Sequence, residues 1–520
     1  MGLSASTCCQ EQEDVPVEVV GARQREAAPS DTSSEAGDVR KRDSQTSRYS
    51  LSSEDLPIME QAITLRVDKN VTRGIPVTRT LRSCGRLWHK SPANLDPDSR
   101  MKLWEMSEPV ERFDVFFSHT WMTSGRWKFL SLLFQYGWPW MLASWACAVT
   151  LVFFLSVDGM LLMPFKFRMN VLGFQKDCPY APWVYLAGVS AMLISFLAFP
   201  YCCPSSLSPK GFLDVVSIHQ ADPELMNRGV YGLGGFLRVS KEMRVLWSPP
   251  YLTRLWCVFE LAAFRKANPT SPLRVKPLFV ERQVLLLTLG TVIGSAIYFL
   301  ARQSQSWRIG MYALPTIPMI FIVHTNRKCM REKHQLTEAL ETFQLKNAKC
   351  SLESDRAFVT SAIIAWYGSE DAFTAYVRGP LRLELQEAAR ADVPLSYGLL
   401  VAASPCTLAL DVAAAMIQGG APLDALISES VASGLGFALS SILLSVKITW
   451  WLCYRFASPG STRLLDYLKT LTVFCVFWII FGIGSFLSNY LEKTTLWGAT
   501  AFGIVMFFLT VVAYAPPWRP

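Results

Sequence analysis

The chain has 520 residues, of which 51% are hydrophobic and only 18% charged, with a formal net charge of +8 and a mean hydropathy of +0.24. That balance excludes an ordinary soluble globule, in which about a quarter of the residues are charged. Anionic lipid on one membrane face is sufficient to explain the excess positive charge, so the expected partner is the bilayer and not nucleic acid.

Residues 1–60 form the first predicted segment. The opening Met-Gly-Leu-Ser-Ala-Ser-Thr-Cys-Cys places Gly2 four residues before Ser6, the myristoylation pattern, and Cys8 and Cys9 offer sites for a second, palmitoyl chain. No apolar core of a cleavable signal follows. From Gln10 to Glu54 the chain is rich in Ser, Glu and Arg and nearly free of aromatics, a composition that cannot bury a core and predicts disorder.

Eight apolar runs follow, each near the length needed to cross a bilayer. They lie at Trp138–Val157, Ala181–Cys203, Gln283–Ala301, Ile309–Val323, Leu395–Gln418, Ser430–Cys453, Tyr467–Tyr490 and Leu496–Ala515. The fourth is short and holds Pro315 and Pro318, so it reads as kinked or re-entrant, with seven spans as the alternative count. With both termini cytosolic, about 42 of the 50 Lys and Arg residues fall on the cytosolic side, as the positive-inside rule requires. Whether the membrane is the plasma membrane or an internal one is left open. Of the 13 cysteines only Cys178 falls in a loop on the far side, and the cytosolic thiols are expected to stay reduced.

Between the spans the soluble segments are 61–137, 204–282, 324–394 and the C-terminal 516–520. Phe113–Ser118, Gly211–Ile218, Met243–Ser248 and Val275–Val280 are short apolar, β-branched runs suited to buried parallel strands. Helical spacing separates them at Asp222–Ser240 and Arg254–Lys266. Strands alternating with helices predict a doubly wound parallel α/β sheet, joined here to an all-α membrane region.

These residues resemble a TIR domain, the signalling module of innate immune receptors and of some NAD-cleaving enzymes. Phe113-Asp-Val-Phe-Phe-Ser-His119 is similar to its first strand and Phe212-Leu-Asp214 to its second. The most specific match is Ser248-Pro-Pro-Tyr-Leu-Thr-Arg-Leu-Trp-Cys-Val-Phe-Glu-Leu261, and Pro277-Leu-Phe279 is similar to the fourth strand. The likeness covers roughly 100 residues in two pieces. Three features depart from it: a two-span hairpin sits where the family has a helix, the fifth strand and last helix are missing, and the loop after the second strand lacks the usual Gly-Pro. The whole arrangement also resembles multi-spanning membrane proteins of protists.

By that resemblance Glu260 is the residue that would cleave the nicotinamide–ribose bond, with NAD as substrate. A carboxylate there can hold ribose hydroxyls and stabilise an oxocarbenium-like transition state. Ser118, His119, Asp214, His219, Ser248 and Trp256 would line the cleft, which an open α/β sheet places at the C-terminal ends of its strands. Glu260 reads equally as a residue pairing near the first helical turn, because many members of the family act only by self-association. His119 and His219, with no carboxylate at ligand spacing, read as loop residues and predict no metal.

Residues 324–394 read as a small helical module that packs on the sheet domain in place of its missing parts. Asp411 is the clearest acid within a span, and an intramembrane acid suggests transport. Its depth differs from that of Lys447, so each is expected to snorkel to its nearest interface. The expected function is a membrane-tethered signalling or scaffold protein that associates through its TIR-like domain. The first alternative is an NAD glycohydrolase using Glu260, and the second a transporter or channel.

Overall fold

The computed structural model describes residue 60 and residues 63–89, 95–302, 314–350, 352–388 and 393–515. Gly2, Cys8 and Cys9 lie outside the described residues.

The first strands of the described chain are β1 (Arg73–Pro76), β2 (Glu108–Pro109) and β3 (Val115–Ser118). From β3 it enters helix α1 (Gly125–Val157), crosses a hairpin of β4 (Phe165–Val171) and β5 (Phe174–Tyr180), and returns along α2 (Trp183–Cys202). Then come β6 (Lys210–Phe212), β7 (Met243–Trp247), helix α3 (Leu255–Ala267) and β8 (Leu273–Pro277). The sheet order is β2-β1-β6-β3-β7-β8; β6, β3, β7 and β8 run parallel, and β1 and β2 add an antiparallel edge. The four parallel strands thus carry the doubly wound order 2-1-3-4.

All four expected strands are shorter than their apolar runs, and for two of them the cause is plain. Gly211–Ile218 is extended only to Phe212, because Ser217 Oγ accepts from the Leu213 N–H at 3.1 Å and Asp214 Oδ1 from the Val215 N–H at 2.8 Å. Those side chains wrap Asp214–Ser217 into one helical turn. Val275–Val280 leaves the ladder at Pro277, which has no N–H to donate, and the chain passes at once into helix α4 (Phe279–Arg302). The helix expected at Asp222–Ser240 is two, Pro223–Tyr231 and Leu233–Arg238, parted at Gly232.

Because side chains alternate across a strand, the sheet buries two different faces. Phe116, Phe212, Met243, Val245 and Val275 pack with α3 and with the later helices Arg331–Glu341 and α6 (Glu353–Tyr367). Ile75, Val115, Phe117, Leu213 and Leu246 belong instead to one continuous cluster with Leu132, Leu133, Met141, Phe199, Leu287 and Leu400, which lie on the membrane helices. The 324–394 module therefore does pack on the sheet. Its last helix, Arg382–Ala388, lies beside the β8 edge, where Glu384 pairs with the buried Arg265 of α3.

Seven helices among the described residues are long and apolar enough to cross a membrane. They are α1, α2, α4, α7 (Leu395–Gln418), α8 (Leu423–Arg455), α9 (Arg463–Thr494) and α10 (Leu496–Tyr514), with the shorter α5 (Ile317–Cys329) preceding α6. The helix that carries the first apolar run thus begins at Gly125, well before Trp138. At 1.5 Å per residue α1 is about 50 Å long against a hydrocarbon core of about 30 Å. Its first turns lie under the sheet, where Gln135 accepts from Arg244 of β7 at 3.2 Å and Tyr136 stacks under that guanidinium.

The fourth apolar run falls short of the seven, its described part being a 3-10 turn at Leu314–Thr316 and α5. It pairs antiparallel with α4: Glu332 meets Arg282 at 3.2 Å, Gln283 donates to the Asn326 carbonyl at 3.3 Å, and Gly290 and Gly294 lie against Ile322 and Pro315. A Cβ at Gly290 would stand 2.3 Å from Ile322 Cδ1, so a larger residue there would require the Ile322 side chain to turn aside. Since Arg331–Glu341 packs on the sheet domain, α5 runs back toward the side from which α4 left.

On the opposite side, β4 and β5 form a hairpin with positive φ at Leu172 and Gly173. It covers the far ends of α4 and α7 through Phe299, Met416 and the Lys176 ammonium, which donates to the Gly419 carbonyl at 2.8 Å. The alternation of Phe165-Lys-Phe-Arg-Met-Asn-Val171 followed by Leu-Gly is the signal for such a hairpin.

Candidate functional site

The C-terminal ends of β6, β3 and β7 bring Asp214, Ser118 with His119, and Ser248 to one end of the sheet. In the 2-1-3-4 order the chain reverses direction between β3 and β7, the point at which an open α/β sheet places its ligand. Thr123, just after β3, and Ser248, just after β7, close that point with a 2.5 Å hydrogen bond.

Glu260 reaches it from α3. The fully buried Ser118 donates its hydroxyl to Glu260 Oε2, and the same oxygen of Ser118 meets the Tyr251 hydroxyl. Desolvation pushes the Glu260 carboxyl up to about 8, the Ser118 bond opposing the rise and the Asp214 charge adding to it. Burial raises Asp214 as well, against hydrogen bonds from the Trp121 indole at 2.8 Å and the Val215 N–H. Cys257, one turn before Glu260, is held well above the ordinary thiol range by burial, and its Sγ lies 3.4 Å from the His119 carbonyl.

His119 is buried between Trp88 and Trp121, with ring centroids 5.4 and 4.8 Å away. Burial lowers its imidazole well below the ordinary value, with the Lys128 charge acting in the same direction. Lys128 is itself fully buried, its ammonium 4.7 Å above the Trp121 ring. Neither Lys128 Nζ nor His119 Nε2 has a hydrogen-bond partner among the described residues. Two carboxyls, a cation, a neutral imidazole and two hydroxyls therefore share one largely desolvated region, where each electrostatic interaction is stronger than in water.

Not every expected cleft residue is here. Trp256 turns away, its indole donating to Asp355 of α6 at 3.0 Å while its ring packs on Phe259 and Phe358. His219 packs at a tilt against Trp104, and its Nδ1 accepts from the Asp222 N–H at 2.8 Å, which fixes the start of the following helix. Sequence reasoning missed Tyr251, Trp121, Thr123 and Lys128. Tyr251 lies inside the motif that carried the resemblance, whereas Lys128 precedes the first apolar run and joins the site because α1 begins beneath the sheet. Among the described residues no three His, Cys, Asp or Glu side chains stand together as metal ligands.

Asp411 does not snorkel. It is 2% exposed, and its two oxygens accept from the Val184 and Tyr185 N–H groups at 2.9 Å each, capping the start of α2. The free N–H groups of a helix start attract a carboxylate, which is why the acid stays at that depth. Lys447 instead places its ammonium 4.8 Å over the Tyr514 ring. Compared with protein-family models, curated proteins and solved structures, the chain matches none of them.

Proposed function

We propose that this is a membrane-embedded signalling protein whose sheet domain is TIR-like, faces the cytosol and acts by associating with like domains. The observation that carries the reading is the shared core: Val115, Phe117 and Leu246 of the sheet pack in the same apolar cluster as Leu287, Leu400 and Phe199 of the membrane helices. A domain anchored in this way cannot turn independently of the membrane region, so a rearrangement of either is felt by the other. Energy transfer between donor- and acceptor-labelled copies in proteoliposomes tests association. Transfer no greater than that of an unrelated membrane protein at equal density would sink the reading.

A second reading, NAD cleavage by Glu260, is favoured by the convergence of Glu260, Ser118 and Asp214 at the strand ends. Ser118 is fully buried, so this reading requires an opening between the β3 and α3 ends before substrate can enter. Nicotinamide release by the full chain in nanodiscs, abolished in Glu260→Gln, is the outcome it demands. Release that persists in that variant refutes it.

A further inference from the structure

Helices α4, α7, α8 and α9 enclose a cavity of about 180 Å³ within the apolar bundle, with Met319 of α5 closing part of its wall. Most of the lining is apolar, including Leu287, Val401, Leu408, Val446 and Phe477. About 10–15 Å³ suffices for one water, so the space is that of an extended ligand.

Polar side chains crowd the end of the cavity remote from the sheet, Glu429, Ser433, Ser485, Ser488 and Asn489 among them, and thin out toward the sheet. Toward the end remote from the sheet, Ser433 and Ser488 line the cavity with their hydroxyls 3.2 Å apart, and Ser433 also donates to Glu492 at 2.6 Å. Nearer the sheet the wall contains Ser445, 1% exposed, whose Oγ has no hydrogen-bond partner among the described residues. Ser433 and Ser445 lie on the same helix, about 18 Å apart at 1.5 Å per residue. Between them α8 widens into a π-helical stretch, Ser430–Ser441, in which Ser441 Oγ reaches back to the Gly436 carbonyl at 2.8 Å. Such widened turns cluster at functional sites.

An unpartnered buried hydroxyl in an apolar wall carries a desolvation cost that a ligand can relieve. Its neighbours in the wall along α8, Ile442 and Val446, supply none of the two to four polar contacts an ordered water needs. We infer that this cavity binds an elongated, uncharged membrane lipid with a hydroxyl at each end. One hydroxyl meets the Ser433–Ser488 pair, the apolar body fills the cavity, and the other meets Ser445. Serine hydroxyls both donate and accept, which suits an alcohol at either position.

The test uses the full chain in phosphatidylcholine nanodiscs, with a side-chain-hydroxylated sterol as probe and the same sterol lacking the side-chain hydroxyl as comparison. Expected is saturable binding of the dihydroxy probe, about threefold to tenfold tighter than the monohydroxy one, the worth of one buried hydrogen bond. Ser445→Ala erases that difference and leaves the monohydroxy sterol unchanged. Ala438→Phe, which fills the cavity, removes binding of both while the protein stays monodisperse. No saturable binding, equal affinity for the two sterols, or binding that survives Ala438→Phe overturns the inference. Should Ala438→Phe not fold, Ser445→Ala, which deletes one oxygen, decides it alone.

Discussion

The hydroxyl of Ser131 donates to the carboxylate of Glu281 at 2.9 Å, which ties α1 to α4 directly beneath the sheet. Tyr397 of α7 donates to the other carboxylate oxygen at 3.1 Å, so three membrane helices meet at one buried acid. Removing that acid leaves two buried hydroxyls without their acceptor. Glu281→Ala is expected to lower stability by about 1–3 kcal/mol. Glu281→Gln, which keeps an acceptor, should cost less. Thermal unfolding in detergent measures both, and an unchanged midpoint for the alanine variant would show that the junction contributes nothing.

Asp411 has the same character at the far end of the bundle. Asp411→Ala strips the cap from α2 and should cost about 0.5–2 kcal/mol, while Asp411→Asn retains part of it. Proteoliposome flux of any test solute should not respond to Asp411→Asn beyond the change in folded protein. A selective loss of flux in well-folded protein would restore the transport reading.

Arg327 is fully buried and holds the turn between α8 and α9. Its guanidinium donates to the Phe456 carbonyl at 2.9 Å and the Asp466 carbonyl at 2.8 Å, and pairs with the Asp466 carboxylate at 2.6 Å. Arg327→Ala leaves the Phe456 and Asp466 carbonyls without this donor, while Arg331 still pairs with the Asp466 carboxylate at 2.9 Å, and is expected to destabilise by about 1–3 kcal/mol. Arg327→Lys should recover only part of this, because an ammonium cannot reproduce the planar fork. Equal stability of Arg327→Ala and the parent chain, by the same unfolding assay, is the contrary result.

Glu260 makes stability pH-dependent in a direction opposite to that of a salt-bridged acid. Its carboxyl titrates near 8 when folded, against an ordinary value of 4.5. Below the lower value both states are protonated and nothing is lost. Between the two, the folded state holds the extra proton, so stability falls as pH rises; above the higher value the loss is constant. Glu260→Gln should therefore flatten the stability profile between about pH 4.5 and 8. Denaturation midpoints measured across that window decide it, and a variant with the parent slope would place the titrating group elsewhere.

Much of this architecture was legible along the chain because it depends on local periodicity. Eight runs of apolar residues near bilayer length include the seven crossing helices, and the β-branched runs at Phe113–Ser118, Met243–Ser248 and Val275–Val280 overlap three of the parallel strands. The strict alternation of β4 marks the hairpin as well, in a segment whose expected form is a far-side loop. The fourth run was the ambiguous one, because its length fits neither a full span nor a simple loop.

What periodicity cannot specify is which elements share a core. The apolar spacing of α1 is continuous from Gly125 to Val157 and contains no mark where the sheet's covering helix becomes a membrane helix. Asp411 and Lys128 show the same limit, since an isolated charge in an apolar run reads as a transport or flanking residue until its neighbours from other elements are known. The sequence by itself determined a multi-pass protein with parallel strands between its spans. Only the tertiary structure decided that one face of that sheet lies on the membrane helices, because burial of a face depends on residues hundreds of positions apart meeting in one core.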